Sequence, residues 1–109
     1  MSEIPSLTVD QLPLPIPDDV TVVDVREPIE WQQAPLPGSV HVPLGQFAER
    51  LGELPTDDRI VVVCAVGARS ARAVEFLLQH GHDAVNLDGG LVEWQAAGRE
   101  LVAGDEPTS

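Results

Sequence analysis

A single cysteine, Cys64, stands in this chain of 109 residues, and its neighbours decide what the thiol can do. It closes the apolar run Val61-Val62-Val63, and Ala65-Val66-Gly67-Ala68-Arg69-Ser70 follows. A free thiol with a pKa of about 8.5 is only a few per cent thiolate at neutral pH, and the thiolate is the nucleophile. The residues after Cys64 favour that form. Ala65, Gly67 and Ala68 are small, so the backbone can curl tightly and turn successive N–H groups inward as an anion nest. Gly67 can adopt a positive φ at no steric cost. A helix expected to begin at about Ala68 to Ser70 presents its positive end to the sulfur. Arg69 and Arg72 add formal charge. A lone cysteine is commonly just a small buried apolar side chain. The glycine, the arginine and the helix start beside this one argue instead for a thiolate nucleophile that needs no histidine partner.

Such a loop must be held by the elements on either side of it. The β-branched run at 60–63 predicts a buried strand that delivers Cys64 at its carboxyl end. The following helix is expected to reach about His80 and to stop at Gly81. Further strands are predicted at 7–9, 20–25, 39–42 and 84–87, with a helical turn near residues 10–12. Short helices are predicted at 27–33, with Pro28 in its first turn, at 44–51 and at 91–97, the last stopped by Gly98. Strands alternating with helices predict an α/β domain: a central parallel sheet of about five strands with helices on both faces. Ligands of such folds bind beyond the carboxyl ends of the strands, where Asp24-Val25-Arg26, Cys64 and Asp88-Gly89-Gly90 are expected to converge. Asp24 either holds the loop by accepting backbone N–H bonds, the favoured reading, or caps the end of its strand. Arg26 and Glu30 are read as an i, i+4 ion pair, with Arg26 lending positive potential to the pocket rim. Arg69 either points into the pocket or binds an acid on a neighbouring helix. Trp31 and Trp94 are read as packing residues.

Composition removes several classes of function. Eighteen acids against six arginines and no lysine give a net charge of −12, which argues against nucleic-acid binding. One cysteine cannot form an internal disulfide, and one cysteine with three histidines lacks metal-ligand spacing, so no metal is expected. No apolar run reaches the roughly 20 residues of a membrane helix. The first ten residues lack the basic and apolar parts of a signal peptide. The expectation is one soluble, cytoplasmic domain over 1–109, with a core at about 5–101 and a polar, flexible tail from Ala103.

Four segments in register resemble the rhodanese-like sulfurtransferases. Cys64-Ala65-Val66-Gly67-Ala68-Arg69-Ser70 is similar to their active-site loop, C-R-x-G-x-R-S. Asp24-Val25-Arg26 with Glu30-Trp31 resembles D-V-R-x-x-x-E-[YFW], and Pro37-Gly38-Ser39-Val40-His41-Val42-Pro43-Leu44 resembles P-G-A-x-x-I-P-L. Asp88-Gly89-Gly90 with Trp94 resembles the closing x-G-G-x-x-x-W. The resemblance covers about residues 20–98. It implies a sulfurtransferase in which Cys64 takes sulfur from a donor such as thiosulfate as a covalent persulfide, with no separate cofactor. The N–H groups of Ala65, Val66, Gly67, Ala68, Arg69 and Ser70 would hold the anionic outer sulfur. A thiol or a sulfur-acceptor protein of the thioredoxin-like kind would then receive it. The chain departs from the pattern at Ala65, where the family usually carries Arg or another polar residue. That departure favours a persulfide or an organic thiosulfonate over thiosulfate. Pro35 replaces the family's histidine, so no catalytic role falls there. The rivals are a rhodanese-like interaction domain of weak activity and a cysteine phosphatase or arsenate reductase. Phosphatases space Cys and Arg by five residues, whereas four separate Cys64 from Arg69, which makes a smaller bowl. A monomer or weak dimer is expected.

Overall fold

The computed structural model describes residues 4–99. Five strands form one parallel sheet: β1 (Ser6–Leu7), β2 (Val20–Asp24), β3 (Val40–His41), β4 (Arg59–Val63) and β5 (Ala84–Leu87). Their order across the sheet is β1-β5-β4-β2-β3, so β4 is central. Three helices follow the strands: α1 (Pro28–Gln33), α2 (Ala68–Gln79) and α3 (Gly90–Ala96). The α/β architecture with helices on both faces is as expected.

The alternation of side chains along β4 builds both halves of the core. Ile60 and Val62 face Ala73, Val74 and Leu77 of α2. Val61 and Val63 face the opposite layer, with Leu91 and Trp94 of α3. Cys64 continues the alternation and so emerges on the α2 side. Burial on both faces explains why β4 reads as an unbroken aliphatic run. The pairs Asp24↔Val63 and Val62↔Asn86 bring the ends of β2, β4 and β5 to one edge.

Some expected elements take another form. The segment expected to be a helix at 44–51 forms two separate 3-10 turns, Leu44–Gln46 and Leu51–Glu53. Phe47 N–H donates to Leu44 O and Leu54 N–H to Leu51 O, both three residues back. Gly45 and Gly52 make a continuous α-helix costly there, and Pro43 and Pro55 bound the segment. Leu44, Phe47 and Leu51 still pack on the core, because their spacing also suits these turns. The first strand ends at Leu7, since the Gln11 side chain accepts from Thr8 N–H and pulls the chain into a 3-10 turn at Val9–Gln11. The strand at 39–42 shortens to Val40–His41, although Val42 N–H still bonds to Asp24 O at 2.9 Å. The outer ends of the expected domain, including the tail from Ala103, lie outside the described residues.

Candidate active site

The chain leaves β4 at Cys64 and enters α2 four residues later, and the loop between them wraps the sulfur. Gly67 N–H donates to Cys64 Sγ at 3.0 Å and Ser70 N–H at 3.4 Å. Ser70 Oγ lies 3.3 Å from the same sulfur. Gly67 has φ +106°, the left-handed turn that aims its N–H inward, so its glycine is required. Behind the bowl, the first N–H groups of α3 hold the loop's carbonyls away from the sulfur. Leu91 N–H donates to Cys64 O at 2.9 Å and Val92 N–H to Ala65 O at 3.0 Å. Gly90 permits this contact: a Cβ there would stand 2.4 Å from Cys64 O. Carbonyls are thereby turned out and amides turned in, the polarity an anion needs.

Cys64 is fully buried. Burial pushes its thiol up; the Ser70 hydroxyl, when its proton is turned to sulfur, and the N–H groups of Ser70, Gly67 and Val66 draw it below its ordinary value. With the hydroxyl proton on sulfur, the site favours a thiolate more than open water does.

Arg69 turns to an acid on a neighbouring helix. Its two terminal nitrogens contact Glu30 at 2.6 and 3.0 Å. The Arg69 guanidinium holds the Glu30 carboxyl down at about 2. The expected Arg26–Glu30 pair is thus replaced. Arg26 precedes α1 rather than lying in it, so helical i, i+4 spacing does not apply. Arg26 instead pairs with Asp24, its Nη2 standing 2.8 Å from Oδ2. The reading of Asp24 as a holder of the Cys64 loop is also corrected. Its Oδ1 accepts from Arg26 N–H at 3.0 Å, because the end of its own strand is nearer than the loop. Arg26 braces α1 by donating to Ala34 O at 2.8 Å. The pair supports the loop's neighbour rather than the loop. Trp31 stacks on His41 with ring centres 4.9 Å apart, and Trp94 is buried against the sheet.

Ala65 lines a cleft of about 260 Å³ beside Arg26, Glu30 and Val92. Val66 and Ala68 are exposed on the outside of the loop. A second groove, of about 410 Å³, runs along α2 past Arg69 and Arg72 over Phe47, Ala73 and Phe76. Sequence reasoning missed Asn86. Its Nδ2 donates to Gly67 O at 3.2 Å, and its Oδ1 meets the Ser70 hydroxyl. The signal was present: a lone amide in a strand whose four residues are all buried.

A model of the rhodanese-like domain family matches residues 8–97. A sulfurtransferase of Allochromatium vinosum is 38% identical over 87 residues, 79% of this chain and 81% of that protein. Among solved structures, a rhodanese-related protein of Thermoplasma volcanium superposes with a TM-score of 0.83 at 37% identity, covering 90% of this chain and 97% of its own. A Rhodopseudomonas palustris protein of unknown function, described as a possible tyrosine phosphatase, superposes at 0.73 with 25% identity, over 90% of this chain and 84% of its own.

Proposed function

The chain belongs to the rhodanese-like domain family, and from that premise we propose that it carries sulfane sulfur on Cys64 as a persulfide. The observation that supports this is the focus of the Gly67 and Ser70 N–H groups on one buried sulfur at the start of α2. In the first half-reaction the Cys64 thiolate attacks the outer sulfur of thiosulfate. The donor's S–S bond breaks, and its electron pair leaves with sulfite. A singly charged persulfide remains, its charge on the outer sulfur and near the loop's amides. In the second, an acceptor thiolate attacks that outer sulfur and Cys64 leaves as thiolate. The acceptor is a small thiol or a thioredoxin-like protein. A persulfide or an organic thiosulfonate can replace thiosulfate in the same chemistry, because only the leaving group changes. The four residues between Cys64 and Arg69, and the engagement of Arg69 by Glu30, disfavour a phosphoryl clamp.

The test is to incubate the protein with each donor and weigh it. Cys64 should gain the mass of one sulfur atom, the gain should be absent in Cys64→Ser, and an added thiol should remove it. If thiosulfate, persulfide and thiosulfonate all leave the mass unchanged, the proposal is wrong.

A further inference from the structure

The amide of Asn86 is a buried polar group near Cys64 that sulfur transfer itself does not use. It stands on β5 beside Val62, and Asn86, Ser70 and Cys64 are all buried. Its orientation is fixed by the Nδ2 bond to Gly67 O at 3.2 Å. Exchanging amide oxygen and nitrogen would set two acceptors against each other. Asn86 Oδ1 therefore faces Ser70 Oγ. Ser70 has one hydroxyl proton and three acceptors around it: Asn86 Oδ1, Gly67 O at 3.1 Å and Cys64 Sγ at 3.3 Å. Gly67 O already receives Asn86 Nδ2 and the Ala71 N–H at 3.2 Å. Asn86 Oδ1 has no other donor among the described residues. Taking the Ser70 proton from it would leave a buried acceptor unsatisfied, which is costly.

The geometry points to Asn86 as a positioning residue that turns the Ser70 hydroxyl away from Cys64, so that the cysteine rests with an uncharged inner sulfur, as thiol or persulfide, in preference to the bare thiolate. The inference rests on the persulfide reading for its consequence. In the thiol, Cys64 S–H donates to Ser70 Oγ, which completes the chain from sulfur through hydroxyl to amide. In the persulfide, Sγ is bonded to carbon and to the outer sulfur, carries no proton and needs no donor, so the hydroxyl stays with Asn86. Only the bare thiolate, formed when Sγ gives its proton to solvent, calls for the hydroxyl proton. The hydroxyl draws the thiol down only when it faces sulfur, and Asn86 contests that position. The network so favours the two states of a carrier over the reactive state between them.

The test titrates the unloaded protein through the pH dependence of alkylation, which reports Cys64 alone because the chain has no other cysteine. Asn86→Leu should release the hydroxyl to sulfur and lower the Cys64 pKa by about one unit, a tenfold gain in the thiolate-to-thiol ratio. Ser70→Ala in the natural background should leave the pKa unchanged or slightly lower. The same change in the Asn86→Leu background should raise it back by about one unit. A merely structural role for Asn86 would not reverse the effect of Ser70→Ala. A rise on Ser70→Ala alone would show that the hydroxyl already serves sulfur and would overturn the inference, as would an unshifted Asn86→Leu. If Asn86→Leu does not fold, the sign seen with Ser70→Ala alone decides. The titration needs no sulfur donor, so failed sulfur loading would sink the functional proposal without touching this one.

Discussion

Asp24 and Arg26 show how a motif can be right in its residues while its purpose differs from the obvious one. Both side chains are buried, and the guanidinium makes contacts with both carboxylate oxygens at 2.8 to 3.1 Å. Removing one partner strands a buried charge. Asp24→Ala should therefore cost about 3–5 kcal/mol in urea unfolding. A loss below about 1 kcal/mol would mean that water reaches Arg26 and the pair is not truly buried. The sequence offered Asp24 as a strand-end acceptor, and that much holds. It could not offer the partner, because two residues apart at the end of a strand can face the same side or diverge, and only the turn at Val25 decides. Ala65 carries the opposite lesson. Its methyl group occupies a cleft wall where a longer cation would reach toward the loop mouth. Ala65→Arg should lower the apparent KM for thiosulfate several-fold, read from initial rates of sulfite release. An unchanged or raised KM would refute that account of the wall.

At the scale of elements, the loop depends on two helix starts working from opposite sides. The α2 start supplies donors to sulfur, and the α3 start takes up the loop's carbonyls. Gly90 is the point of closest approach, and its φ of +57° adds backbone strain for any other residue. Gly90→Ala should cost at least about 2 kcal/mol and slow Cys64 alkylation, because the carbonyls it displaces rotate toward sulfur. Gly45→Ala, which has open space around it, is the matched control and should change neither. The Asp88-Gly89-Gly90 turn was legible in the sequence, but its target was not: that contact spans 26 positions, from Cys64 to Gly90, and no local spacing encodes it. The link between α1 and α2 is the Arg69–Glu30 pair. Glu30 is held down from 4.5 to about 2, chiefly by the Arg69 side chain, so the pair stabilises the fold above about pH 4.5. That contribution fades as pH falls toward 2, where the folded carboxylate takes its proton. Both side chains remain about one-third exposed, so solvent screening limits the pair to about 0.5–1 kcal/mol. Glu30→Gln should be less stable than the natural chain at pH 7 by that amount and equal to it near pH 2. A difference that persists undiminished at pH 2 would place the effect in packing rather than charge.

Across the whole molecule, a net charge of −12 surrounds the site that, in the proposed reaction, receives an anionic donor. Two fields compete there. Five of the six arginines are engaged by protein acceptors, and Arg72 alone makes no ion pair or hydrogen bond to protein among the described residues. Arg72 offers short-range attraction at the groove along α2. The acidic surface offers repulsion that an approaching dianion meets first and over a longer range. The Debye length is about 30 Å at 0.01 M salt and about 8 Å at 0.15 M, so added salt removes the distant repulsion while the short-range attraction largely survives. Thiosulfate turnover at low donor concentration should then rise by about two- to five-fold between those salt concentrations. A singly charged organic thiosulfonate should show a smaller rise, because the repulsion scales with donor charge. If thiosulfate turnover instead falls as salt is added, the local cation governs approach, and the acidic surface has no part in selecting the donor.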